Sequence, residues 1–114
     1  MEISIIITKI PLVEVKKAAE ETFGDMVKAV ADIEEGSMAI GGEMHADCEA
    51  KLLEHGSEQK NLWGFNIYPD RKPDEWLEYQ SLINIRPSVG NRSMEIQDEA
   101  IRRKIAEIVN ALIQ

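Results

Sequence analysis

The spacing of apolar residues changes period along the chain, and each change marks an expected element. "ISIIIT" (residues 3–8) is apolar and β-branched with no helical repeat, which predicts a buried strand. Pro11 suits the first turn of a helix, where its missing N–H costs nothing. Leu12, Val15, Ala19 and Phe23 then recur at helical spacing up to Gly24, a residue suited to the left-handed position after a helix, so a helix is predicted over 12–23. "VKAVADI" (27–33) and "SMAIGGEMH" (37–45) flank Glu34-Glu35-Gly36, the spacing of a hairpin, although the Gly41-Gly42 pair is poor strand material. Asp47 is the expected N-cap of a short helix carrying Leu52 and Leu53 and ended by Gly56.

"LWGFNIYP" (62–69) reads as a strand stopped by Pro69, and "DRKPDE" (70–75) as a turn. "WLEYQSLINIR" (76–86) alternates: Leu77, Tyr79, Ser81, Ile83 and Ile85 on one side, Trp76, Glu78, Gln80, Leu82, Asn84 and Arg86 on the other. A polar loop follows to Ser93. Asp98 then caps a helix with Ile101, Ile105, Ile108 and Leu112 on one stripe. The order is β-α-β-β-α-β-β-α. It predicts one α+β domain over 1–114, a mainly antiparallel sheet of about five strands with the helices packed on one face. Trp63, Phe65 and Ile67 are expected in its core, and Trp76 over a sheet edge.

Composition narrows the function more than it names it. A chain of 114 residues can bury roughly 65% of its unfolded surface, and its 44% hydrophobic content is that of a folded domain. The net charge of −8 repels phosphate backbones and anionic lipid, which argues against nucleic-acid and membrane partners. One cysteine, Cys48, allows neither an internal disulfide nor a thiolate zinc site. With an acidic start and no long apolar run, the chain reads as cytoplasmic.

Three groups of residues could carry chemistry. In an extended "EMHAD", Glu43 and His45 point the same way and Asp47 can join them, a set that could hold a divalent metal or act as acid and base. The competing reading has Asp47 as a cap, His45 bonded to a carbonyl and Glu43 solvated. In "RPSVGNRS", Pro87 keeps Arg86 extended and Gly90-Asn91 can turn N–H groups toward an anion. Arg86, Ser88, Asn91 and Arg92 then form a candidate anion site. An internal pair of Arg86 with Glu43, Asp47 or Glu78 is the structural alternative. If strands 62–68 and 76–86 pair, Asn66 and Tyr68 come beside Asn84 and Arg86, and Asn66-Asn84-Arg86 is the expected centre of a polar face.

"EMHADCEAKLLEHGSEQKNLWGFNIYP", "SLINIRPSVGNRS" and "IRRKIAEIVNALI" together resemble a family of small prokaryotic proteins known as a domain of unknown function. Its most specific elements are His45-Ala46-Asp47, Gly56-Ser57 with Gln59, Leu62-Trp63-Gly64 and Asn84-Ile85-Arg86-Pro87 through Gly90-Asn91-Arg92-Ser93. The chain departs from it at Val89, where Gln is the family's residue, and at Met94, where a basic residue is. The resemblance implies a stand-alone intracellular domain and carries no activity with it. The expectation is a non-enzymatic binding or interaction module that presents a polar anion-binding face to a small anionic ligand or a protein. The alternatives are a metal-assisted hydrolase using Glu43, His45 and Asp47 with Arg86, and a structural homodimer.

Overall fold

A computed structural model describes residues 2–114. β1 (Ser4–Ile6), β2 (Val27–Asp32), β3 (Ser37–Ile40), β4 (Leu62–Ile67) and β5 (Leu77–Glu78) make one antiparallel sheet in the order β1-β3-β2-β4-β5. The β2–β3 hairpin closes on Asp32. Its buried carboxylate accepts from the N–H groups of Glu34 and Glu35 at 3.0 Å each and from the Ser57 hydroxyl at 2.6 Å. Gly36 supplies the positive φ of 74° that the turn requires.

Alternation along the central strands divides the core. Val27, Ala29 and Ala31 of β2 and Trp63, Phe65 and Ile67 of β4 pack under α1 (Leu12–Glu21) and α3 (Glu99–Leu112). The stripe of α3 seats Ile105, Ile108, Val109 and Leu112, each worth about 2 kcal/mol if fully buried. Asp98 caps this helix by accepting from Ala100 N–H at 2.8 Å. The two helices are laced together where Ile10 N–H donates to Leu112 O and Gln114 N–H donates back to Ile10 O. Trp76 is buried in the same layer, its Nε1–H donating to Arg71 O at 2.8 Å.

The expectation that all helices share one face is corrected by α2 (His45–Glu54). Val30 and Leu62 point away from α1 and α3, and they meet Cys48 and Leu52 of α2 with Ile83 at the margin. Val30 is fully buried in spite of lying on the face expected to be polar. A sheet strand that is apolar on both sides needs cover on both.

Two further boundaries differ. The strand expected over 37–45 stops at Ile40, because Gly41 takes φ +102° within 3.0 Å of the Glu2 carbonyl, measured from where a Cβ would stand. The N-cap position of α2 is held by Met44. Asp47 therefore lies inside the first turn, where its charge favours the helix dipole but caps nothing.

The larger correction concerns 76–86. Only Leu77 and Glu78 pair with β4, after which the chain leaves the ladder in 3₁₀ turns at Leu82–Asn84 and Pro87–Val89. Leu77 and Tyr79 join the core under α1 and α3, but Ile83 joins the one under α2. The segment has crossed the sheet edge. Asn84 holds it there: Gly64 N–H donates to its Oδ1 at 2.8 Å, and its Nδ2 donates to Gly64 O at 2.9 Å. One side-chain amide thus satisfies the two β4 backbone groups that another β5 residue would have paired.

Candidate functional site

The crossing opens a cleft. Its floor is a row across three strands, since Lys28 of β2 is in register with Asn66 of β4, and Asn66 with Glu78 of β5. One wall is the start of α2, with Met44, His45 and Ala46; the other is Gln80–Ile83, with Met94 closing the end. The open cleft has a volume of about 320 Å³, at the small end of ligand-sized pockets. Met44, Leu82 and Met94 are exposed apolar side chains on its rim. Scattered apolar residues need no explanation, but these share one cleft.

Its polar groups are partly committed. Asn66 Nδ2 donates to Glu78 Oε1 at 2.8 Å, and the Tyr68 hydroxyl donates to the same oxygen at 3.2 Å. Asn66 Oδ1 is buried and meets no donor among the described residues. An amide oxygen left so costs about 1–3 kcal/mol, so its presence in the cleft floor points to a ligand or water. His45 is buried with Nε2 at 2.9 Å from the Phe65 carbonyl. A carbonyl only accepts, so Nε2 carries the proton and Nδ1 of the neutral ring is an acceptor.

Burial pushes the His45 imidazole below its ordinary value of 6.5. The bond to the Phe65 carbonyl raises it, the charge of Lys28 lowers it further, and a hydrogen-bonding contact with the Asn66 side chain and the charge of Glu78 raise it. Above pH 6.5 the ring is neutral in the folded and unfolded chain alike, and stability is complete. As the pH falls below 6.5 the unfolded chain takes up the proton first, and stability drops. The urea midpoint is expected to decline from pH 6.5 to 5.5, ahead of the carboxylates. His45→Gln, which keeps an N–H for Phe65, is expected to flatten that decline. Equal slopes in both proteins would remove His45 as its source.

The structure separates the expected metal set. Glu43 and Asp47 are exposed and border a different hollow with Lys51 and Glu54, while His45 turns into the cleft. Among the described residues, no three His, Cys, Asp or Glu side chains come together as a metal requires. Arg86 is half-buried, with Nη2 donating to Glu49 Oε2 at 3.1 Å and its guanidinium 5.0 Å from the Trp63 ring. Glu49 was absent from the expected internal partners. Burial lowers the Arg86 pKa and Glu49 holds it up, and Nη1 is buried without an acceptor among the described residues.

In the loop, Asn91 is buried. Its Nδ2 donates to the carbonyls of Asn84, Ser93 and Glu95, and its Oδ1 accepts from Gln97 N–H at 2.9 Å. Gly90 takes φ +83°. Ser88 and Arg92 are exposed. Of the three residues expected at the centre, Asn66 lies in the cleft, Asn84 is sealed beneath its wall and Arg86 reaches α2. Lys28 has no place among the expected site residues, and Glu78 is expected only as a partner of Arg86, because a row across strands follows from register, which is absent from local spacing. Cys48 is fully buried and its thiol is pushed up to about 11, which makes it packing rather than a nucleophile. Among the described residues, no helix is long and apolar enough to cross a membrane.

No curated protein and no solved structure matches the chain. A family model described as "Protein of unknown function (DUF5674)" matches residues 4–112, nearly the full length over which sheet, cleft and loop are built. The chain belongs to the DUF5674 family.

Proposed function

We propose that this domain is a binding module, and that the cleft between the start of α2 and residues 80–83 takes a small organic ligand with an apolar body. The observation that carries the reading is Asn66 Oδ1, a buried acceptor without a donor, in the floor of a cleft rimmed by exposed Met44, Leu82 and Met94. An apolar-walled hollow with a few convergent polar groups is the usual form of a ligand site. Arg86 is engaged with Glu49, so an anion at that arginine would have to compete with an internal pair. At Asn66 Oδ1 the neighbouring group is the His45 ring, whose Nε2 proton is already held by the Phe65 carbonyl.

A screen of small apolar and amphiphilic compounds by ¹H–¹⁵N NMR tests this. Binders are expected to shift the amides of His45, Asn66 and Met94 and to lose effect in Leu82→Glu, which places charge on the rim at an exposed position. At 100 times its Kd a binder adds about 2.7 kcal/mol, roughly 10 °C in Tm for a domain of this size. Binders that map only elsewhere, or are indifferent to Leu82→Glu, would overturn the reading.

A further inference from the structure

The cleft floor carries opposite charges at its two ends. Lys28 stands on one side of Asn66 and Glu78 on the other, in a row spanning three adjacent strands. Strands lie about 4.8 Å apart, so the two Cα atoms are separated by roughly 10 Å. Lys28 and Glu78 form no ion pair with each other; the lysine leans over Phe23, with Nζ 5.0 Å from the ring centroid. A lysine and a glutamate on one floor that do not neutralise each other leave a dipolar site.

Each end has support. Beside Glu78 are two acceptors without assigned donors, Asn66 Oδ1 and His45 Nδ1, and Glu78 Oε2 takes neither of the bonds made to Oε1. Three acceptors match the three N–H donors of a primary ammonium. Toward the other end, α2 begins at Met44 with no side-chain cap among the described residues, and Met44, His45 and Ala46 line the cleft. An uncapped helix start presents free N–H groups and a partial positive charge, which with Lys28 favours a carboxylate. Between the poles the walls are Leu82, Ile83 and Met94. The chain's net charge of −8 also disfavours a ligand that is purely anionic.

We infer that the cleft binds a free α-amino acid with an apolar side chain, its ammonium on Glu78, Asn66 and His45, its carboxylate toward Lys28 and the start of α2, and its side chain against Leu82, Ile83 and Met94. This rests on the cleft being the ligand site. A simple apolar acid would leave three acceptors unanswered, and a simple amine would leave Lys28 facing a cation.

The test is titration calorimetry with L-leucine and L-methionine beside N-acetyl-L-leucine, isovalerate and 3-methylbutylamine, with NMR to locate each. One of the two amino acids is expected to bind and shift His45 and Asn66. The three compounds lacking one charge are expected to bind at least about tenfold more weakly, the loss of one charge-assisted bond. Glu78→Gln keeps an oxygen for Asn66 and Tyr68 but places an NH₂ toward the ammonium, and is expected to weaken the amino acid by a similar factor. Isovalerate, N-acetyl-leucine or the amine binding as well as the amino acid would overturn the assignment. So would an unchanged affinity in Glu78→Gln. If other compounds occupy the cleft and amino acids do not, the ligand class falls and the cleft stands. If nothing shifts the cleft amides, both fall.

Discussion

Asn84→Leu is expected to lower the free energy of unfolding by about 4 kcal/mol, on the order of 15 °C in Tm. Leucine keeps the branched shape of asparagine and is larger, so the effect is not a cavity, and crowding at the fully buried site adds to it. Asn84 is fully buried, and its amide accepts from Gly64 N–H and donates to the carbonyls of Gly64 and Met94. Removing it orphans one buried N–H and weakens two carbonyls. Each stranded group costs about 1–3 kcal/mol, the N–H most. The change also loosens the 81–84 segment from β4, and with it one wall of the cleft. Ser88→Ala, on the exposed face of the same loop, is the control and is expected within about 0.5 kcal/mol of the parent. Urea unfolding at pH 7 measures both. A loss below 1 kcal/mol for Asn84→Leu would mean that water or a relaxed backbone replaces the amide.

That residue also marks where reading from sequence stops. Period-two spacing in 76–86 puts Leu77 and Tyr79 on one side, and both do pack in the layer under α1 and α3. It puts Trp76 on the opposite side, but Trp76 is buried in that same layer. The spacing also implies that pairing continues, because alternation says which way a side chain points and nothing about whether a partner edge remains. The strand leaves the ladder after Glu78 because Asn84 can replace backbone partners with side-chain atoms. No propensity encodes that substitution. Helices were legible where the apolar stripe was long, as in α3, and Asp98 was recognisable as its cap from chemistry alone. Asp47 has the same chemistry but sits two positions inside α2, since the helix begins at His45 instead. The side on which α2 packs depended on Val30, an apolar residue whose adjacent strand residues, Ala29 and Ala31, are also buried. Continuous burial has no period to read. The site suffered most: Asn66 stood out as a polar residue among apolar ones, but its companions Lys28 and Glu78 come from other strands and meet it only through register.

One signal did bear on the crossing, and it supports the second large effect. Glycine in the interior of an otherwise apolar strand usually marks a bulge or a close approach, and "LWGFNI" has one at Gly64. Its φ is negative, so backbone conformation does not demand glycine there. At an open strand position, alanine would stabilise by about 0.5–1 kcal/mol by restricting the unfolded chain. Here a Cβ would stand 2.6 Å from Ser81 Cβ, 2.7 Å from Ser81 Oγ and 3.1 Å from Ile83 Cγ1. Ser81 is itself buried and its oxygen accepts from Ile83 N–H at 3.3 Å, so the contact cannot be relieved by one rotamer change. The sign therefore reverses, and Gly64→Ala is expected to cost about 2–3 kcal/mol as the 81–83 segment is pushed off the sheet. Ser81→Gly removes both of the nearest atoms and costs about 1 kcal/mol alone, through the lost bond and added chain freedom. If steric conflict is the cause, Gly64→Ala/Ser81→Gly is less destabilised than the sum of the single changes by about 2 kcal/mol. Additive losses would instead place the cost of Gly64→Ala in β4 itself, and the segment forming the cleft wall would not be held by that contact.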